Sequence, residues 1–195
     1  MMRRCLGVVA PLLLLLAACG QDEGVSLSPV GGAVSDEYWF DSLPVMVATS
    51  DVVVLGTVIE LKQGTTVGPP GYEIELLDAI LAVQEVLYGS AGESSTLAIQ
   101  TDPFIPAEPE WRETGITVLA FMDVNTDPGS EGKYYLVNSQ SLYVVAGTDV
   151  QPAVEGDPLS EQMAAMTIDE IRSKILKATE AIAAGEVNPQ TPVGG

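Results

Sequence analysis

The chain of 195 residues contains no histidine. Histidine is the commonest general base in enzymes, the middle member of the Ser-His-Asp triad and a usual ligand of zinc. Its absence excludes these kinds of catalytic and metal site. A lysine can activate a serine instead, but the spacing of the lysines indicates no such pair.

Cysteine is almost as scarce, because the chain has only Cys5 and Cys19. Both lie near the N-terminus, so the remaining 176 residues can form no disulfide among themselves. They also offer no thiolate as a nucleophile or as a metal ligand. The sequence therefore predicts no catalytic residue, no metal site and no cofactor.

Long uncharged apolar runs are limited to one, at residues 6–18, directly after a basic segment that contains Arg3 and Arg4. At about 1.5 Å per residue, a helix of this length spans roughly 20 Å, which is short of the ~30 Å hydrocarbon core of a bilayer. A basic start, a short apolar run and small residues at its end are typical of a cleaved secretory leader. This pattern favours a processed leader over an uncleaved membrane anchor.

The end of this run, Leu16-Ala17-Ala18-Cys19, resembles the lipobox of bacterial lipoproteins. The resemblance implies that residues 1–18 are a signal peptide and that Cys19 becomes the lipidated first residue. Two or three acyl chains anchor a protein stably. We therefore expect an exported protein that is held at the cell membrane or outer membrane through the lipid on Cys19.

Basic residues are few as well. After removal of residues 1–18, six of the eight basic residues remain beside all 27 acidic ones, which gives a net charge of −21. Such a charge repels phosphate backbones and anionic head groups, so we expect no nucleic-acid partner and a domain that stands off the bilayer. Acidic charge usually serves solubility, and binding of cations or of a basic partner stays open.

The composition divides the chain into a tether, one domain and a tail. Residues 19–34 are small and polar, and they predict a flexible tether. Residues 35–184 are expected to form the folded domain. Residues 185–195 are rich in proline and glycine and predict a disordered tail.

Two segments of the domain predict helices. In residues 42–49, Ser42 can cap the helix and Pro44 is tolerated in its first turn. At the other end, Thr167 and Glu170 form a capping-box pattern, and Gly185 marks the stop. Apolar residues recur between them at helical spacing, so this amphipathic helix is expected to pack on a sheet rather than on a partner.

The rest of the domain predicts short strands joined by turns. The β-branched run at 52–59 indicates a buried strand, in which Gly56 marks a bulge or bend. A turn region is expected at 62–71, followed by a long strand at 72–88 with a bulge near Leu77, although a helix could fit its later half. Further strands are predicted at 96–101, 116–122, 133–138 and 141–146, with a loop at 102–110 and a turn at 125–132.

These elements favour a mainly β fold with flanking helices, namely an antiparallel five-stranded OB-like barrel with one short N-terminal helix and one C-terminal amphipathic helix. The segments at 49–58, 83–89 and 115–122 resemble a domain of bacterial lipoproteins and secreted proteins. That domain is similar in outline to the OB-type barrel of tissue inhibitors of metalloproteinases and netrin modules, and the resemblance covers about residues 35–150. It implies the barrel, but those inhibitors use a free N-terminal cysteine and disulfides. Their inhibitory residues therefore cannot be assigned to this chain.

The acidic segment that begins at Asp123 looks at first like a calcium loop, because oxygen ligands alternate along it. Its sixth position is Pro128, where an EF-hand loop needs glycine, and its twelfth is Tyr134, where the loop needs glutamate. The segment therefore predicts a turn between two strands rather than a metal site.

Aromatic residues are few, and Tyr38, Trp39 and Trp111 are the candidates for a binding surface. The alternative is that they close the ends of the barrel. We expect a non-enzymatic module that binds an envelope protein or a glycan. A carboxylate-dependent envelope hydrolase and a protease inhibitor, the latter by fold analogy alone, remain as alternatives.

Overall fold

The structure is a computed structural model that describes residues 38–102, 111–153 and 156–191. The predicted signal peptide, Cys19 and the tether 19–34 lie outside these ranges, as does most of the predicted loop 102–110. Within the described ranges the fold is mainly β with three α-helices. No helix there is both long enough and apolar enough to cross a membrane.

The described elements comprise three α-helices, one 3₁₀ turn and seven strands. The helices are α1 (Leu43–Thr49), α2 (Pro158–Ala164) and α3 (Ile168–Ala183), and a 3₁₀ turn covers Ser139–Ser141. The strands are β1 (Val52–Val67), β2 (Ile74–Gly89), β3 (Thr96–Thr101), β4 (Thr117–Val124), β5 (Tyr134–Leu136), β6 (Leu142–Ala146) and β7 (Asp149–Pro152).

All seven strands belong to one mixed sheet in the order β1-β2-β3-β5-β4-β6-β7. Strand β1 also pairs with β4, so β1, β2, β3, β5 and β4 form a ring. The predicted mainly β fold is confirmed, and five strands do form a ring, but the prediction that they are all antiparallel is wrong because β3 pairs with β5 in parallel. Among the described residues the sheet also has two further strands, β6 and β7. A closed ring of five strands cannot alternate in direction all the way round, and one neighbouring pair must therefore be parallel.

The predicted buried strand at 52–59 is confirmed as the first half of β1, but the strand continues to Val67. The turn expected at 62–71 therefore lies later, at 68–73, because residues 60–67 pair with β2 despite their polar composition. The register of β1 on β2 shifts at Gly56, where an added Cβ would lie 2.9 Å from the carbonyl oxygen of Ala82. Of the three other shifts, the last lies opposite Leu77, and its one extra residue is in β1 rather than in the predicted strand.

The sheet has an apolar core on each face. One core contains residues from all five ring strands and none from a helix, and we call it the ring core; Val54, Leu81 and Val118 belong to it. The other, the helix core, contains alternate residues of β1 and β4 together with the buried sides of the three helices. Because β1 and β4 are covered on both faces, their sequences are continuous apolar runs rather than alternating ones.

The two predicted helices are confirmed as α1 and α3. Thr167 and Glu170 form the capping box of α3, whereas the Ser42 side chain makes no capping hydrogen bond on α1. The buried side of α3 includes Ile171 and Ile175 in the helix core, as its apolar spacing predicts. Helix α2 and strand β7 were not predicted from the sequence.

Candidate functional site

The structure places the three candidate aromatic residues in two different environments. Trp39 lies just before α1 and is 53% exposed, and Tyr38 beside it is half-buried against the helix core. The Tyr38 ring stacks on Phe40, with ring centroids 5.9 Å apart. Trp111 is only 4% exposed and packs in the ring core, so it does not share a surface with Trp39. Its position matches the core-packing alternative.

Two carboxyl groups meet at the end of the β1–β4 ladder. Asp51 immediately precedes β1, and Asp123 is the penultimate residue of β4. The backbone N–H of Asp51 donates to Oδ1 of Asp123 at 3.1 Å, and the N–H of Val124 donates to Oδ2 of Asp51 at 2.9 Å. Each side chain thus accepts from the backbone of the opposite strand, which fixes both carboxyl groups in place.

This arrangement perturbs the protonation of Asp123. Burial raises the pKa of Asp123 to about 6, and the nearby charge of Asp51 acts in the same direction. The hydrogen bond from the Asp51 backbone opposes the shift without cancelling it. Asp123 therefore exchanges its proton in the pH range where a carboxyl group can serve as a general acid.

A tyrosine lies next to the two carboxyl groups. Tyr135 is the partner of Asp123 in the β4–β5 ladder. Burial raises the pKa of Tyr135 to about 12, and the negative charge of Asp123 and the proximity of Tyr38 add to the shift. The Tyr135 hydroxyl consequently stays protonated and can donate a hydrogen bond. We call Tyr38, Asp51, Asp123 and Tyr135, together with Trp39 as the chain neighbour of Tyr38, the acidic–aromatic surface.

A second polar cluster lies between the β1–β2 hairpin and the turn that follows β4. Asp78 is 3% exposed, and its Oδ2 lies 2.9 Å from Nζ of Lys133. The same ammonium donates to Oγ1 of Thr65 at 3.0 Å, and Thr65 donates to the carbonyl of Gly129 at 2.9 Å. The cluster therefore fastens β1, β2 and the turn to one another.

Buried amides extend this cluster. The N–H of Asp127 donates to Oδ1 of Asn125 at 2.9 Å, which orients the Asn125 side chain. The Nδ2 of Asn125 then donates to Oε1 of Gln100 at 2.8 Å. Because Oε1 of Gln100 faces Asn125, its Nε2 points away from Asn125. That Nε2 and Oδ1 of Asp78 make no hydrogen bond although both are buried. In the sequence, the one signal that could have revealed the cluster is the position of a carboxyl group, Asp78, within an otherwise apolar stretch of strand.

The predicted turn at 125–132 is confirmed between β4 and β5, whereas Asp123 and Val124 before it belong to β4. Asn125 and Asp127 belong to it, and the N–H of Ser130 donates to the carbonyl oxygen of Asp127 at 3.0 Å. The Asp127 side chain is exposed. Across the three described ranges, no group of three or more acidic, histidine or cysteine side chains converges in a way that could hold a metal ion.

Comparison with known proteins leaves this surface to be interpreted from its own side chains. No protein-family model matches the sequence, and no curated protein matches it significantly. The acidic–aromatic surface is therefore a candidate site that is described by its own side chains alone.

Proposed function

We propose that the protein is a lipid-anchored lipoprotein of the bacterial envelope, and that its domain is a non-catalytic binding module for a protein or a glycan. The leader-like residues and Cys19 support the anchor. The ring of strands supports an OB-like barrel, because β1 closes on β4 and the order β1-β2-β3-β5-β4 has its one parallel pair at β3–β5. Barrels of this type bind ligands on one face.

The observation that carries the binding proposal is the 53% exposure of Trp39, the chain neighbour of Tyr38, which lies near Tyr135 and the Asp51–Asp123 pair. Because about half of the Trp39 side chain is exposed to water, it lacks a large part of the hydrophobic stabilisation that full burial would give. Exposed aromatic residues of this kind are the usual anchors of interfaces. The two carboxyl groups can accept hydrogen bonds from sugar hydroxyls or from basic side chains. The Tyr135 hydroxyl adds a donor, so these residues offer both stacking and polar recognition.

The anchor is tested by replacing the cysteine. Cys19→Ser should abolish lipidation and leave the protein unprocessed or soluble, because the thiol is the acceptor of the lipid. Detergent partitioning and mass spectrometry of the N-terminus measure the result. An unmodified Cys19 on the mature wild-type chain would refute the anchor.

The binding surface is tested with two probes, purified cell-wall glycan and a soluble oligolysine peptide, on the full chain carrying Cys19→Ser. Trp39→Ala should weaken binding of the effective probe about tenfold or more, since removal of an aromatic anchor typically costs over 1 kcal/mol. Tyr72→Ala is the matched control, because Tyr72 is a highly exposed aromatic residue at the β1–β2 turn. Equal effects of the two substitutions, or binding of neither probe, would contradict the proposal.

The raised pKa of Asp123 favours a second candidate, a carboxylate-dependent hydrolase in which Asp123 is the general acid and Asp51 the second carboxyl group. Turnover of a glycan panel should then fall as the pH rises through about 6, and Asp123→Asn should abolish it. Absence of turnover, or turnover that survives Asp123→Asn, would leave binding as the function.

A further inference from the structure

Strand β1 has a free edge beyond the point where the ring closes. Its last hydrogen bonds on that side join Val58 to Ile116 and Gly115, each at 2.8 Å. Strand β1 then continues to Val67 with β2 on one side only. Within the described part of the chain, the opposite edge of residues 59–67 has no backbone partner. Unpaired N–H and C=O groups on such an edge are a template for another strand.

The side chains at 59–63 are exposed to solvent, and two of them are aliphatic. Ile59 is 49% and Leu61 is 42% exposed, and Glu60, Lys62 and Gln63 are exposed as well. Register shifts bound the segment on both sides, so Glu60 to Gln63 is the regular stretch of the extension. A lysine or a bulge commonly protects an edge strand from pairing with another strand. Here, however, Lys62 lies two residues after Glu60, so the edge carries both signs of charge on the same face.

This spacing makes the edge complementary to itself. When two copies run antiparallel with Leu61 on the two-fold axis, Glu60 of each copy lies opposite Lys62 of the other. The two Leu61 side chains then meet at the axis. Centring the pair on Glu60 or on Lys62 instead places like charges opposite each other, which is destabilising. We propose that a second copy of this chain pairs with the free edge of β1, in the register that centres on Leu61.

The resulting contact is isologous and small. About five residues of each strand take part, so the dimer should be weak and reversible, as expected for an interface well below the standard size. The net charge of −19 on each chain opposes association over long distances. Physiological salt screens this repulsion beyond about 8 Å while the contacting pairs remain close.

Sedimentation equilibrium of the full chain with Cys19→Ser, in physiological salt, tests the proposal. We expect a monomer–dimer equilibrium that Glu60→Lys and Lys62→Glu each weaken roughly tenfold, because each places like charges opposite one another twice. The double charge swap should restore the dimer. Glu180→Lys and Lys174→Glu, at exposed positions of α3, make the same changes of charge elsewhere and should leave the equilibrium unchanged.

A backbone measurement keeps the test independent of any effect of these variants on folding. Amide hydrogen exchange of the unsubstituted edge, at residues 59–63, should slow as the protein concentration rises. A monomer at every concentration, a double swap no better than the single changes, or an edge that pairs only with an added peptide would overturn the proposal.

Discussion

Asp78 and Asp123 both lie on strands of the ring, but their carboxyl groups have different surroundings. Asp78 is buried and its carboxylate contacts the ammonium of Lys133 at 2.9 Å. Asp123 is half-buried and faces Asp51, and no ion pair among the described residues includes it. The charge of Asp78 therefore serves to hold the β1–β2 hairpin and the turn together, whereas that of Asp123 stays available to solvent or a ligand.

The energetic consequences of the two arrangements differ in sign. A buried ion pair contributes little net stability, but removal of one partner leaves a buried charge and typically costs 3–5 kcal/mol. Two acids at a surface repel each other, and removal of one charge relieves that repulsion. The same kind of substitution should thus destabilise the first region and stabilise the second.

The largest loss of stability should come from introducing an acid at a buried position, where its carboxylate has neither an ionic partner nor contact with water. Val54 is fully buried in the ring core, and Val54→Asp should unfold the domain. An unpaired buried charge costs several kcal/mol, which is comparable with the ~5–15 kcal/mol stability of a whole domain. Circular dichroism and thermal melts of the full chain measure the loss.

Val86 supplies the matched control for this prediction, because it is the partner of Val54 in the β1–β2 register but is 42% exposed. Val86→Asp should change the stability by about 1 kcal/mol or less, as most exposed substitutions do. If Val54→Asp melts like the wild type, β1 is not in the core.

The next effect concerns the partner of Asp78. Lys133→Met keeps most of the side-chain volume but leaves the Asp78 carboxylate buried and unpaired, so the free energy of unfolding should fall by about 3–5 kcal/mol. Urea denaturation measures this change, and Lys174→Met on the exposed side of α3 is the control. The double variant Asp78→Leu/Lys133→Met should recover stability. Failure of that recovery would mean that the ion pair is not what Lys133 provides.

The contrast between these regions also shows what the sequence could and could not predict. Local signals were sufficient for the first half of β1 and for the capping box at Thr167, because each depends on neighbours within one element. The pairing of Asp78 with Lys133 depends on a turn that folds onto a distant hairpin, so no local pattern contains it. Likewise the sequence does not distinguish Trp39 from Trp111, since their exposure is decided by which elements pack over them.

A smaller and opposite effect is expected at Asp123. Its pKa is about 6 in the folded protein and 3.8 in the unfolded chain, so the folded state binds the proton more tightly. The resulting stability is fully present below about pH 3.8 and is lost as the pH rises through 6. Asp123→Asn should remove this loss, amounting to about 1 kcal/mol at pH 7 after allowance for solvent screening.

Urea titrations of the wild type and of Asp123→Asn at pH 4 and pH 7 test this prediction. The comparison is made as a difference between the two proteins, because carboxyl groups with a lowered pKa, such as Asp157 and Glu170, give the opposite pH trend in both. Asparagine retains an oxygen that can accept from the Asp51 N–H. Identical pH dependence in the two proteins would show that Asp123 is solvated like an ordinary carboxyl group.

The smallest effect should come from an acid that belongs to neither arrangement. Asp127 takes part in the turn after β4 through its backbone, whose N–H donates to Asn125 and whose carbonyl accepts from Ser130. Because Asp127→Ala keeps both backbone bonds and alters only an exposed side chain, it should change the stability by less than about 0.5 kcal/mol. Calorimetric titration with calcium should likewise be the same for the variant and the wild type, since the turn lacks the glycine and glutamate of an EF-hand loop. Micromolar calcium binding that is lost in Asp127→Ala would instead make this segment a metal site.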